Sequence, residues 1–245
     1  MVHTCRRIIE MKYFSLVQHS LSIIVMAFFG ILIGLAMVPS YFLFYEITEL
    51  TNDDGMILEA FGICVSLGLG YILWGINILL ICGFWGMLFK IRKKEGRYPL
   101  RSFISIQWAF GIVSHRIAML FLKLVLPSFV GNLYYRMMGA KIGNGVQIVS
   151  DSINDAAMIS IGDNVVIGGR ATINGHLVES GEIVLAPVKI GNNALIGGGC
   201  IIQPGSVIGE GAVIASRAVV PKWSNIPDRE IWGGIPAKFI KKLED

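Results

Sequence analysis

The sequence predicts a protein in two parts: an N-terminal transmembrane helical hairpin with an interfacial helix, and a C-terminal parallel β-helix. Three observations predict it: two long runs without charge, a segment that mixes apolar and basic residues, and a six-residue repeat rich in glycine. Of the 245 residues, 54% are hydrophobic and only 16% are charged, whereas soluble domains average about 25% charged residues. This composition argues against an ordinary soluble protein, a disordered chain or a nucleic-acid-binding module.

The apolar excess is concentrated in two uncharged runs, residues 21–45 and 61–89. A hydrocarbon core is crossed by roughly 20 apolar residues, so both runs are long enough to span a bilayer. Neither run contains a charge that would suggest an ion path. The sequence therefore predicts that residues 1–101 form a two-helix membrane anchor in contact with membrane lipid.

The charges that flank these runs predict the orientation of the anchor. Basic residues precede the first run and follow the second: Arg6, Arg7, Lys12, Lys90, Arg92, Lys93, Lys94, Arg97 and Arg101. The connecting segment, residues 46–59, carries five acidic residues and no basic one. By the positive-inside rule both ends of the anchor face the cytoplasm. We expect a multi-pass protein of the cytoplasmic membrane whose C-terminal domain faces the cytoplasm.

The next segment, residues 102–132, allows two interpretations. Residues 103–126 are apolar enough to insert, yet they include His115, Arg116 and Lys123. Charges near the centre of a span are costly, which favours an amphipathic helix lying in the membrane interface. His115 would then be an interfacial residue rather than a ligand. If the segment crossed the bilayer instead, everything after it would lie outside the cytoplasm.

A six-residue repeat dominates residues 133–245. Branched aliphatic residues recur at a strict period of six: Ile190, Ile196, Ile202, Ile208, Ile214, Val220 and Ile226. A small residue follows four positions after each of the first six, and glycine or another small residue usually follows directly. The same pattern begins at Ile142, at Ile161 and at Ile167. Internal repeats of this kind indicate an array of stacked units that share one core.

The period predicts the shape of the stack. A branched residue points inward from each short strand, and the small residues allow a tight corner before the next strand. Three repeats complete a triangular coil of 18 residues, so Ile190, Ile208 and Ile226 should form one column. Roughly five coils fit between Ile142 and Ile226.

These repeats resemble the hexapeptide-repeat acyltransferases. The segment Gly233-Gly234-Ile235-Pro236-Ala237-Lys238 is similar to that family's closing motif, and residues 134–143 resemble the segment that enters its repeats. Together with the helices before it, the arrangement resembles the membrane-embedded C-terminal portion of ε-poly-L-lysine-synthetase-type peptide synthetases. The resemblance implies a left-handed β-helix, a homotrimer and an acyltransferase activity. The left-handed winding comes from the resemblance, because right-handed crossovers are the general rule.

The resemblance also implies the donor and the residues that bind it. The donor would be acyl-CoA or a phosphopantetheinyl acyl or peptidyl carrier protein, used as a substrate, with no resident cofactor. Lys238, Gly198 and Ala215 are the donor-binding candidates, since Lys is a common phosphate ligand. A basic C-terminus close to an anionic membrane surface is the competing interpretation of Lys238.

The repeat is interrupted between Ile173 and Ile190, and His176 lies in the interruption. It is the only histidine after residue 130, and imidazole is suited to accept a proton near neutral pH. The resemblance implies that His176 is the catalytic base, and Glu179 or Glu182 could accept a hydrogen bond from its other ring nitrogen. An ordinary surface-loop histidine and a solvated glutamate remain the alternatives.

The expected function is therefore a membrane-anchored acyltransferase. It would transfer an acyl or aminoacyl group from a phosphopantetheine thioester to an amine or hydroxyl, with amide-bond formation as one option. The alternative is a non-catalytic β-helix that recruits partners to the membrane. We expect no metal site, since a zinc hydratase on this fold would need three histidines, and no nucleic-acid partner.

Overall fold

The computed structural model describes residues 2–52, 55–88 and 95–244, with side chains from residue 23 onward. The chain divides into two compact units, Met1–Ile78 and Leu79–Asp245. The first holds α1 (Val2–Thr51) and the first two-thirds of α2 (Met56–Leu88). Ser40 Oγ of α1 donates a hydrogen bond to the Gly70 carbonyl of α2 at 2.7 Å. The two helices of this unit therefore contact each other directly.

Three helical segments are long and apolar enough to cross a membrane: Ile23–Thr51, Met56–Leu88 and Phe103–Val125. The first two correspond to the predicted spans and extend beyond them. Most of the charged side chains that predict the orientation are not described by the structure. Six lie outside the described residues: Lys90, Arg92, Lys93, Lys94, Asp53 and Asp54. Three lie in the part of α1 without described side chains: Arg6, Arg7 and Lys12. The cytoplasmic orientation therefore stays a prediction.

The second unit begins with the end of α2 and continues through β1 (Gly96–Pro99), α3 (Phe103–Val125) and α4 (Phe129–Met137). Ser102 and Ser128 begin the two shorter helices, each accepting a hydrogen bond from the backbone N–H three residues later, as N-cap residues do. The predicted segment 102–132 thus contains α3 and the first turn of α4.

The repeat region is built of very short strands. They are β2 (Lys141–Ile142), β3 (Gln147–Ile148), β4 (Ile153–Asn154), β5 (Ile159–Ile161), β6 (Val166–Ile167), β7 (Thr172–Asn174), β8 (His176–Glu179), β9 (Glu182–Leu185), β10 (Val188–Ile190), β11 (Leu195–Ile196), β12 (Ile201–Ile202), β13 (Val207–Ile208), β14 (Val213–Ile214), β15 (Val219–Val220), β16 (Asn225–Ile226), β17 (Glu230–Gly233) and β18 (Lys238–Lys242). A single 3-10 turn, Ala156–Met158, lies between β4 and β5.

Three sheets form the sides of the coil. The first sheet contains β2, β5, β10, β13 and β16; the second contains β3, β6, β11, β14, β17 and β18; the third contains β4, β7, β12 and β15. Strands within a sheet run parallel, apart from the antiparallel closing pair of β17 and β18. Successive strands along the chain belong to successive sheets, which is the arrangement that the six-residue period predicts.

The predicted column of aliphatic residues is confirmed. Ile190 is aligned with Ile208, and Ile208 with Ile226, so coil partners lie 18 residues apart. The inward-pointing residues of the other sheets, among them Ile196 and Ile202, are fully buried. One coil alone could not exclude water from these side chains, so the stack stabilises itself through contacts between neighbours.

Candidate active site

The interruption of the repeat is a β-hairpin. β8 and β9 pair antiparallel around a turn at Ser180 and Gly181, both with positive φ angles, as tight hairpin turns require. The hairpin leaves the coil between β7 of the third sheet and β10 of the first. β1 pairs antiparallel with β9 and completes a three-stranded sheet. The segment 95–101, predicted as part of the anchor, therefore joins the candidate site.

Gly175 sets the path of the hairpin as it leaves the coil. A Cβ at this position would lie 2.7 Å from Cβ of Met158 and 2.9 Å from Cβ of Asp155. Only glycine lets the chain pass this close to the coil below. Its neighbour His176 is consequently held against the corner that Asp155 occupies.

His176 and Asp155 form the central pair of the site. Nδ1 of His176 is within hydrogen-bonding distance of Oδ2 of Asp155, whose side chain is fully buried, while the His176 side chain is 20% exposed. A carboxylate only accepts hydrogen bonds, so Nδ1 carries the proton and the unprotonated nitrogen of the neutral ring is Nε2. This is the tautomer that a general base needs. Asp155 itself has a left-handed backbone conformation, with φ 58°, which Asp tolerates better than most residues.

Trp108 of α3 covers one side of the histidine ring. The two ring centroids are 4.7 Å apart and the rings meet edge to face at 63°. Trp108 also packs with Tyr98 and Ile104 on a buried cluster that includes Leu185 of the hairpin. Nε1 of Trp108 is buried and has no hydrogen-bond partner among the described residues.

Glu179 does not contact His176; it forms two ion pairs elsewhere. Its carboxylate oxygens lie 2.7 Å from the Arg97 guanidinium and 2.5 Å from Nζ of Lys222. Lys222 first, and then Arg97, hold the pKa of Glu179 below its usual value. The expectation that Glu179 orients His176 is corrected, because residues three apart on a strand point to opposite faces. Asp155 takes that place.

The register of the repeat is the sequence signal that points to Asp155. Asn154 is aligned with Asn174 in adjacent strands of the third sheet. The residue after Asn154 therefore lies beneath the residue after Asn174, directly under the start of the hairpin. Extending the repeat register across the interruption would have brought Asp155 to the candidate base.

The three donor-binding candidates lie at a different corner, between the second and third sheets. The Arg217 N–H donates to the Gly198 carbonyl at 2.9 Å, and the Ala215 N–H donates to the Trp232 carbonyl at 2.8 Å. Lys238 is aligned with Gly233 and its side chain is exposed. We call Gly198, Ala215, Gly233 and Lys238 the small-residue corner. Within one chain this corner and His176 are not brought together.

His115 is not an interfacial residue, and the expectation for it is corrected. Its side chain is buried, with Nδ1 2.9 Å from the Tyr134 hydroxyl and Nε2 3.1 Å from the Asp151 carbonyl. Because a carbonyl only accepts, Nε2 donates to Asp151 and Nδ1 accepts from Tyr134. Burial raises the pKa of that hydroxyl, which therefore keeps its proton. These two hydrogen bonds of His115 link α3 to α4 and to the coil.

Among the residues described, no cluster of three or more His, Cys, Asp or Glu side chains could hold a metal ion.

Two protein-family models match the repeats. Residues 187–222 match the bacterial transferase hexapeptide model (six repeats), and residues 158–182 match the hexapeptide repeat of succinyl-transferase. Residues 158–182 and 187–222 are therefore hexapeptide repeats of the kind found in bacterial transferases. The second match includes β8 with His176 and the hairpin turn, and it begins three residues after Asp155. No curated protein sequence matches the chain.

Solved structures similar to the hexapeptide-repeat domain are acetyltransferases. A hexapeptide-repeat acetyltransferase from Vibrio cholerae is 25% identical over 55% of this chain and 93% of its own, with a TM-score of 0.42. Its complex with acetyl coenzyme A, from Vibrio cholerae O1 biovar eltor, is 23% identical over 55% and 90%, with a TM-score of 0.43. A maltose O-acetyltransferase from Clostridium difficile 630 is 24% identical over 62% and 94%, with a TM-score of 0.46. These TM-scores are all below 0.5, so the identification of the hexapeptide repeats depends on the family models and on the repeat geometry. The resemblance to ε-poly-L-lysine-synthetase-type enzymes stays a prediction.

Proposed function

We propose that this chain is a membrane-anchored acyltransferase that moves an acyl or aminoacyl group from a phosphopantetheine thioester to an amine or hydroxyl. The observation that carries the proposal is the His176–Asp155 pair on a hairpin of a hexapeptide-repeat domain. A partly exposed imidazole backed by a fully buried carboxylate is an arrangement suited to general-base catalysis.

The proposed reaction follows from this pair. Nε2 of His176 removes the proton of the acceptor hydroxyl or amine while the acceptor attacks the thioester carbonyl. Asp155 stabilises the imidazolium that forms. A backbone N–H can stabilise the oxyanion of the tetrahedral intermediate. As this intermediate collapses, the new C–O or C–N bond remains, the C–S bond breaks, and the imidazolium returns its proton to the departing thiolate.

The donor in this proposal is acyl-CoA, with a carrier-protein thioester as the second form of the same phosphopantetheine chemistry. Lys238 would contact its phosphate groups, while Gly198 and Ala215 leave room for the pantetheine chain. Consecutive coils bring these three residues to one edge. A groove of small residues running along the stack is a suitable surface for an extended thioester arm.

A homotrimer would complete the site. His176 and the small-residue corner lie at different corners of one coil, so packing coils around a threefold axis would place the histidine of one subunit beside the donor corner of the next. The left-handed winding of the coil, which the family resemblance implies, is part of this proposal. So is the anchor, with α1 and α2 crossing the bilayer, α3 lying in its interface and the catalytic domain in the cytoplasm.

Thiol release tests the function. The full chain, reconstituted in phospholipid nanodiscs, would be incubated with acetyl-CoA or an acetylated carrier protein and with amine and alcohol acceptors. We expect free thiol to appear only when donor and acceptor are both present. Val178→Thr is the matched control, because Val178 lies on the same hairpin and is 51% exposed. Thiol release that is the same with His176→Ala as with the wild type would favour the non-catalytic scaffold.

A further inference from the structure

The catalytic domain is packed directly onto the end of a membrane helix. A Cβ at Gly83 of α2 would lie 3.0 Å from Cβ of Met137, and one at Gly86 would lie 2.4 Å from Sδ of Met138. α2 is one of the three helices with the length and composition of a span. Glycines at these positions allow its last turns to approach the end of α4 closely. The domain is therefore not attached through the linker alone.

α3 has two faces of different environment. One face is buried on the repeat domain and on α4, through Trp108, His115 and Phe121. Large apolar residues are exposed on the other side: Phe103, Ile106, Phe110, Leu120 and Leu124, with exposed fractions between 40% and 72%. A helix of 23 residues is about 34 Å long, so this apolar face is extensive.

The bilayer is the occupant that this face fits. This apolar face belongs to the same domain that packs against the end of α2 predicted to face the cytoplasm. Arg116 is exposed on the same helix, where it would meet anionic headgroups. A surface helix with an exposed apolar side and basic charge is typical of interfacial binding.

We infer that the acyl acceptor is a membrane-resident amphiphile, with a hydrocarbon tail in the bilayer and a headgroup amine or hydroxyl that reaches His176. The inference rests on the proposed function. With α3 in the interface and α2 in the bilayer, the domain that carries His176 would stay close to the membrane surface. This gives no advantage with a soluble acceptor, but it confines enzyme and acceptor to one plane when the acceptor is a lipid.

Partitioning of a labelled product tests the inference. The purified chain in phosphatidylcholine–phosphatidylglycerol vesicles would receive [¹⁴C]acetyl-CoA together with either the chloroform-extracted lipids or the water-soluble metabolites of the cells that carry the protein. We expect His176-dependent label in the chloroform phase. His176-dependent label only in the aqueous phase would overturn the membrane acceptor and leave the acyltransferase intact. No His176-dependent label or thiol release with either pool would overturn the proposed function and this inference with it.

A substitution on the exposed face of α3 gives a second readout. Leu120→Glu should raise the KM for the lipid acceptor at least tenfold while the KM for acetyl-CoA stays unchanged, because only the acceptor is reached through the membrane. Leu120→Met is the matched control and should behave as the wild type. Equal rates of lipid acylation for Leu120→Glu and Leu120→Met, at equal folded content, would contradict the inferred route.

Discussion

At the scale of single residues, the proposed function depends on which group holds Nδ1 of His176. The buried carboxylate of Asp155 keeps the proton on Nδ1 and so leaves Nε2 free to accept one. An amide in its place could donate to Nδ1 and favour the opposite tautomer. The chemistry of the site is then lost without any change in shape.

We therefore predict that Asp155→Asn lowers kcat by about 10² or more, the range that general-base catalysis contributes, while the KM for the donor changes little. Steady-state thiol-release kinetics measure both constants, and circular dichroism verifies the fold. A kcat for Asp155→Asn equal to that of Val178→Thr would mean that Asp155 does not position the base.

The lowered pKa of Glu179 predicts that the stability of the fold depends on pH. Its pKa is lower in the folded chain, chiefly through Lys222, so its ion pairs stabilise the fold fully above its ordinary pKa of about 4.3. That stabilisation is lost as the pH falls through the lower, folded pKa. Glu179 is partly exposed to solvent, so the effect is small. The protection of the β8 and β9 amides against hydrogen exchange, relative to their intrinsic exchange rates, should fall below pH 4 in the wild type. In Glu179→Gln this protection should already be lower at pH 6.

At the scale of elements, the hairpin and the coil beneath it act together. Gly175 lets β8 leave the third sheet within contact of Met158 and Asp155. An added methyl group must displace either the coil below or the strand above. Either movement separates His176 from Asp155.

Gly175→Ala should consequently reduce both stability and activity. Overpacking of this kind typically costs about 1–3 kcal/mol, and we expect a lower thermal midpoint together with a loss of kcat. Gly169→Ala is the control, because a Cβ there meets only Cγ1 of Val149, at an ordinary 3.6 Å. A Gly175→Ala protein with the midpoint and kcat of the control would show that the close approach is not needed.

The elements differ in how far the sequence predicts them. The stack follows from local information, since each Ile and each corner residue repeats six positions later, and the registers of Ile190, Ile208 and Ile226 confirm it. The position of the hairpin follows from the interruption of the same pattern. The pairing of β1 with β9 and the burial of His115 were not predicted, because both depend on contacts between segments that share no period. Asp155 was not predicted either, because it lies 21 residues before His176 and only the stacking of coils brings the two together.

At the scale of the whole molecule, the separation of His176 from the small-residue corner predicts an assembly. Native mass spectrometry of the detergent-solubilised chain should give three times the 26.9 kDa subunit mass. Mixing His176→Ala subunits with Lys238→Glu subunits should restore part of the activity that each variant lacks, because some sites would combine two intact halves. A protein that is monomeric and fully active would contradict the shared site.

The central claim is that His176 of the hexapeptide-repeat domain is the base of an acyl transfer. The most direct test is the ratio of kcat/KM for thiol release between the wild type and His176→Ala, in nanodiscs, with acetyl-CoA and the acceptor pool that supports turnover. If His176 is the base, this ratio is about 10² to 10⁴, and Val178→Thr stays close to the wild type. A ratio near one would contradict it.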